Sequence, residues 1–96
     1  MTDRELLELA AKAAGMDTFG FAGACRPWNP LTDDGDALRL AVKLGLRMEL
    51  DNEWRRSHVQ QIPNGEWFTG PHNDDPYAAT RRAIVRAAAE IGRSME

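Results

Sequence analysis

The sequence predicts an α+β domain: a three-stranded antiparallel meander flanked by helices in the order α-α-β-β-β-α, a helix–sheet–helix sandwich. Three observations predict it. Apolar residues recur at helical spacing in residues 2–14, 33–45 and 76–92. Leu46, Met48 and Leu50 alternate with Arg47, Glu49 and Asp51, the period of a half-buried strand. Pro63-Asn64-Gly65-Glu66 then separates two β-compatible stretches, and Asn-Gly suits the positive φ angles of a type I′ hairpin turn.

Ninety-six residues make one domain, 1–96, and leave no room for a second core. With 43% hydrophobic and 28% charged residues the chain has the composition of a globular protein and is too apolar for a disordered one. A net charge of −3 supplies no global attraction to nucleic acid or to an anionic membrane, although a local basic patch stays open. Cys25 is the single cysteine, which excludes an intramolecular disulfide and a multi-cysteine metal site and fits a reducing compartment. The start, Met1-Thr2-Asp3-Arg4-Glu5, is too charged to open a signal peptide, and no apolar run reaches bilayer-spanning length. A soluble, cytoplasmic protein is expected.

Taken in order, Thr2 and Glu5 form a capping-box pattern ahead of a stripe of Leu6, Leu9, Ala10 and Ala13, and Gly15 stands where a left-handed C-cap belongs. Residues 15–27 read as irregular. Phe19 and Phe21 alternate, but Gly20 and Gly23 interrupt them, and without a following Lys-Ser/Thr the glycines do not make a phosphate-cradling loop. Pro27 and Pro30 hold the Trp28 region extended. Thr32, Asp33 and Asp34 are N-cap candidates for a helix whose face is Ala37, Leu40, Ala41 and Leu44. Leu38 and Val42 widen that face until only Asp36, Arg39 and Lys43 remain for solvent, which predicts a central helix with more than one neighbour. Gly45 ends it. Strands follow over 46–51, about 56–62 and 66–69. Asp75 caps the last helix with Pro76 at its first position. Tyr77, Ile84, Ala87, Ala88 and Ile91 share one face of it, and Gly92 is expected to fray its end.

Two stretches carry a resemblance. Trp28-Asn29-Pro30-Leu31-Thr32-Asp33-Asp34-Gly35-Asp36-Ala37-Leu38-Arg39-Leu40-Ala41 and Thr80-Arg81-Arg82-Ala83-Ile84-Val85-Arg86-Ala87-Ala88-Ala89-Glu90-Ile91-Gly92 resemble the two signature segments of the phage ABA sandwich domain family, small proteins of tailed phages and prophages. The resemblance covers most of the chain and thins over 17–26 and in the hairpin. It implies a phage or prophage origin, residence in a bacterial host cell, and a sheet flanked by helices. It brings no catalytic residues with it.

Candidate sites are few. His58 and His72, with Asp74 and Asp75, carry the donor types of a divalent-metal site. No His-x-x-x-His or Cys-x-x-Cys spacing supports one, and loop and cap roles account for the same residues. Asp33, Asp34 and Asp36 resemble a fragment of a calcium loop, but Leu44 stands where the bidentate glutamate belongs. Cys25 has only Arg26 beside it to favour a thiolate, and Ser57 and Ser94 have no evident base. The candidate binding residues are Arg82, Arg86 and Arg93, which share a face of the last helix, and the Trp54-Arg55-Arg56 cluster. Trp28 and Trp67 are expected to fill the core, and Trp54 reads as core or as an interface anchor. No cofactor motif is present. The function expected is that of a small non-catalytic phage accessory protein acting by contact with a host or phage protein. The alternatives are a nucleic-acid accessory protein using the arginine face and a metal-dependent hydrolase built on His58, His72 and Asp74. The open edges of a three-stranded sheet also leave room for a homodimer.

Overall fold

The computed structural model describes residues 2–15, 28–60, 65 and 67–95. Among them are three helices flanking a three-stranded antiparallel sheet, in the order the sequence predicts. Helix α1 (Asp3–Ala13) opens on the expected capping box: Thr2 Oγ1 accepts the Glu5 amide at 3.2 Å, and Glu5 Oε1 accepts the Thr2 amide at 3.5 Å. Helix α2 (Asp34–Leu44) is capped by Asp33, whose carboxylate accepts the Asp36 amide at 2.8 Å, and it ends on Gly45 at φ 63°. Helix α3 (Pro76–Ser94) is capped by Asp75, which accepts the Tyr77 and Ala78 amides at 3.0 and 3.1 Å.

Strands β1 (Arg47–Asp51), β2 (Arg56–Gln60) and β3 (Trp67–Pro71) form a meander with β2 in the middle. The register places Met48 opposite Val59 and Val59 opposite Phe68, and Leu50 opposite Ser57 and Ser57 opposite Gly70, all on the helical face of the sheet. The other face carries Glu49, His58 and Thr69 in one row and Arg47, Gln60 and Trp67 in the next. The expected turn at 63–64 and Glu66, the irregular segment at 16–27 with Phe19 and Phe21, and Cys25 lie outside the described residues.

The centre of the fold is α3, not α2. Helix α3 packs along α1, across β2 and β3, and against α2, while α2 has its packing partner in α3. The reason is side-chain size. Ala83, Ala87, Ala88 and Ala89 are all buried and let neighbours approach α3 from several sides. With one main partner, α2 buries only the stripe of Ala37, Leu40 and Ala41, and Leu38 and Val42 stay 56% and 73% exposed. Gly92 does not fray the helix. It is buried where α3 meets α1, and a Cβ there would drive into the carbonyl of Leu9. Gly70 plays the same part between β3 and α3, where a Cβ would stand 2.7 Å from the Ala79 carbonyl oxygen.

Asp36, expected in solvent, is buried at 2% exposure. Its carboxylate accepts the Asn29 amide at 2.9 Å and Arg39 Nη2 at 2.9 Å, so it fixes the loop ahead of its own helix. Asn29 Oδ1 in turn accepts the Leu31 amide at 3.0 Å. Arg81 on α3 clasps this loop, donating Nε to the Leu31 carbonyl at 2.8 Å and Nη1 to Asp34 at 2.6 Å.

Candidate functional site

An apolar cleft of about 390 Å³ opens between α2, β1 and the first turns of α3. Ala37 and Leu38 line it from α2, Met48 and Leu50 from β1, and Tyr77 and Ile84 from α3. Its rim is the unusual part, because Leu38, Leu50 and Tyr77 are 56%, 61% and 68% exposed. Large apolar groups gathered in a concavity and left open to water are the common signature of a contact site. The gap exists because α3 lies over β2 and β3 and leaves β1 overhanging. Leu50 therefore faces the helical side without a helix above it.

The polar residues lining the cleft are Asn52, Ser57, His72 and Thr80 together with the Asp34–Arg81 pair. Ser57 Oγ lies 2.8 Å from His72 Nε2 and 2.6 Å from Thr80 Oγ1. Thr80 donates its hydroxyl proton to the Pro76 carbonyl at 2.8 Å. Counting protons assigns the chain. Thr80 has one proton and has given it to Pro76, so Ser57 donates to Thr80 and His72 Nε2–H donates to Ser57. A nucleophilic serine requires the opposite polarity, with its proton aimed at the imidazole. The trio is a donor relay that joins β2, the β3–α3 loop and α3. That loop is held from the other side too: the His72 amide donates to the Arg55 carbonyl at 2.8 Å, and Arg55 Nη2 donates to the Asn73 carbonyl at 2.7 Å. Arg55 and Asn73 both adopt positive φ, 54° and 49°, where the two loops meet.

This site escaped the sequence reading, which found no base for Ser57. The available signal was the strict alternation of β2, which puts Ser57 beside Val59 on the buried face. Nothing local pairs residue 57 with residue 72, and only the Ser57–Gly70 register brings them together.

The metal candidates are not brought together. His58 is on the opposite sheet face from Ser57, bonded through Nδ1 to Thr69 Oγ1 at 3.0 Å and edge-on to Trp67 at 6.3 Å. His72 is on the helical side, bonded to Ser57, and Asp74 follows it in the loop. Odd and even positions of one strand point to opposite faces, so His58 and a partner of Ser57 cannot share an ion. Among the described residues no three His, Cys, Asp or Glu side chains converge.

The arginine face is largely occupied by contacts within the chain. Arg82 pairs with Asp3 on α1 at 3.1 Å, Arg93 with Glu90 at 3.6 Å, and Arg86 lies 5.5 Å over the Phe68 ring. Of the other cluster, Trp54 sits at the tip of the β1–β2 turn with its amide on Asp51 Oδ1 at 3.0 Å, and it is 70% exposed rather than in the core. Arg55 is turned back onto Asn73, and Arg56 stands opposite Asp51 in the ladder. Trp67 is also outside the core, 41% exposed on the outer face beside His58, because position 67 shares the parity of Arg47 and Gln60. Trp28 packs against the core as expected. No described helix is long and apolar enough to cross a membrane.

Comparison with protein-family models, with curated proteins and with solved structures returns no match to this chain.

Proposed function

We propose that the protein is a small phage or prophage accessory factor that acts by contact with another protein, and that the cleft between α2, β1 and α3 is the contact site. The lineage rests on the likeness of residues 28–41 and 80–92 to the two signature segments of the phage ABA sandwich family. The contact function rests on one observation: Leu38, Leu50 and Tyr77 stand exposed around a concavity whose walls are apolar. The partner it fits presents one or two aliphatic or aromatic side chains, since the buried polar groups at its base are engaged with one another. A metal-dependent hydrolase is disfavoured by the separation of His58 from His72 across the sheet, and a serine nucleophile by the direction of the Ser57 proton. Nucleic-acid binding is disfavoured by the acidic net charge and by the intramolecular partners of Arg82, Arg86 and Arg93.

The test is a tagged-bait capture from host lysate, treated with nuclease, run in parallel with Leu50→Asp and Tyr77→Ala. A protein retained by the wild type and lost by both variants, each with an unchanged circular dichroism spectrum, supports the reading. Equal retention by all three baits overturns the cleft as the contact site, and retention abolished by nuclease transfers the function to the arginine face.

A further inference from the structure

The outer edge of β1 has no strand beside it among the described residues. It is also the part of the sheet that α3 leaves uncovered. The geometry points to a second copy of this chain as its partner, joined by antiparallel β1–β1′ pairing about a two-fold axis through Met48. This inference goes beyond the cleft reading and stands without it.

The residue sequence along β1 selects that register. With the axis at Met48, Arg47 of each copy lies opposite Glu49 of the other on the outer face. On the helical face Met48 meets Met48 and Leu46 meets Leu50. Both charged contacts are attractive, and both apolar positions meet apolar partners. Moving the axis to Glu49 sets the two Glu49 carboxylates against each other, and moving it to Leu50 sets Glu49 against Asp51. Only the Met48 register has no like-charge pair.

Three further features agree with it. Leu50, 61% exposed on the helical face, gains a further apolar neighbour in Leu46 of the second copy. The strand is five residues long and contains no proline or glycine that would blunt its edge. The other edge strand, β3, ends in Gly70 and Pro71 and is the poorer template for strand addition. Pairing at β1 would create a continuous six-stranded sheet with every ladder amide of the joined edges satisfied, the mode by which an exposed edge commonly recruits a strand.

The decisive experiment uses charge exchange at two exposed residues that take no part in the cleft or in the core. The full chain, Arg47→Glu and Glu49→Arg would be examined alone and as an equimolar mixture of the two variants, by sedimentation velocity and light scattering. The wild type should be dimeric at roughly 100 µM, well above a micromolar dissociation constant. Each variant alone faces like charges twice, once for each side of the axis, and should dimerise about ten- to hundredfold more weakly. The mixture restores both attractive contacts and should recover a heterodimer, a result that a folding defect in either variant cannot produce. A monomeric wild type overturns the proposal, as does a dimer that both single variants retain unweakened or a mixture that stays monomeric.

Discussion

The hydroxyl of Ser57 lies 2.8 Å from Nε2 of His72 and 2.6 Å from Oγ1 of Thr80, and the donation of Thr80 to the Pro76 carbonyl directs the Ser57 proton away from the imidazole, toward Thr80. The distance is that of a nucleophile and its base, and the polarity is that of a structural relay. The distinction turns on the Thr80 proton, which is held by the Pro76 carbonyl in the first turn of α3.

The first prediction concerns that polarity. Neutral His72 should be the Nε2–H tautomer, visible in the pattern of two-bond ¹⁵N–¹H correlations of its ring. An Nδ1–H tautomer would reverse the relay and aim the Ser57 proton at the imidazole, the polarity of a nucleophile. Thr80→Val should cost about 1–3 kcal/mol in urea unfolding, because it deprives the Ser57 proton of its acceptor and the Pro76 carbonyl of its donor.

A second prediction has the opposite sign from the usual rule. Replacing a helical glycine by alanine normally stabilises by about 1 kcal/mol. Gly92→Ala should instead destabilise by about 1–3 kcal/mol, because the new methyl meets the Leu9 backbone and not a movable side chain. A shifted urea midpoint with unchanged slope would confirm it. A gain in stability would mean that α1 and α3 do not approach as closely as described.

Arg81 provides a third. It serves the Leu31 carbonyl and the Asp34 carboxylate at once, and its side chain is only 16% exposed. Arg81→Ala should cost about 1–3 kcal/mol, and Arg81→Lys should recover little of it, since one ammonium cannot reproduce two divergent donors. Full recovery by lysine would reduce the role to simple charge.

Trp54→Ala should leave stability within about 0.5 kcal/mol of wild type, because the ring stands in solvent at the tip of a turn. If thermal melting shows a larger loss, Trp54 has packing partners that its exposure does not suggest.

The features legible in the sequence were those written in local chemistry. The capping box at Thr2, the caps at Asp33 and Asp75 and the glycine stop at 45 depend on neighbours within a few residues, and each is found in place. The alternation expected of β1 sets which face each residue takes, but Leu50 on the apolar face is exposed and the burial does not alternate. What the sequence hid was which apolar surface meets which. Leu38, Val42 and Leu50 look like core residues by composition; water reaches Leu38 and Val42 because α2 has one main packing partner, and Leu50 because β1 overhangs α3. The small residues at 87 to 89 suggest close packing in the sequence, but not that they make α3 the common neighbour of α1, α2 and the sheet. Residues 28–41 and 80–92, far apart in the chain, touch through Arg81 and the Leu31–Asp34 loop. The Ser57–His72 pair required the sheet register and had no local signal.

The central position of α3 also sets an order in time. Helix α1 is made before the other described elements and finds its packing partner in α3, which is made after all of them. Leu6, Ala10 and Ala14 thus wait, solvated or held by a chaperone, until the alanine-rich turns of α3 emerge. The meander can pair its strands earlier, but Val59 and Phe68 stay uncovered until the same moment. A pause in translation before residue 76 would therefore leave open together the described apolar faces that α3 covers.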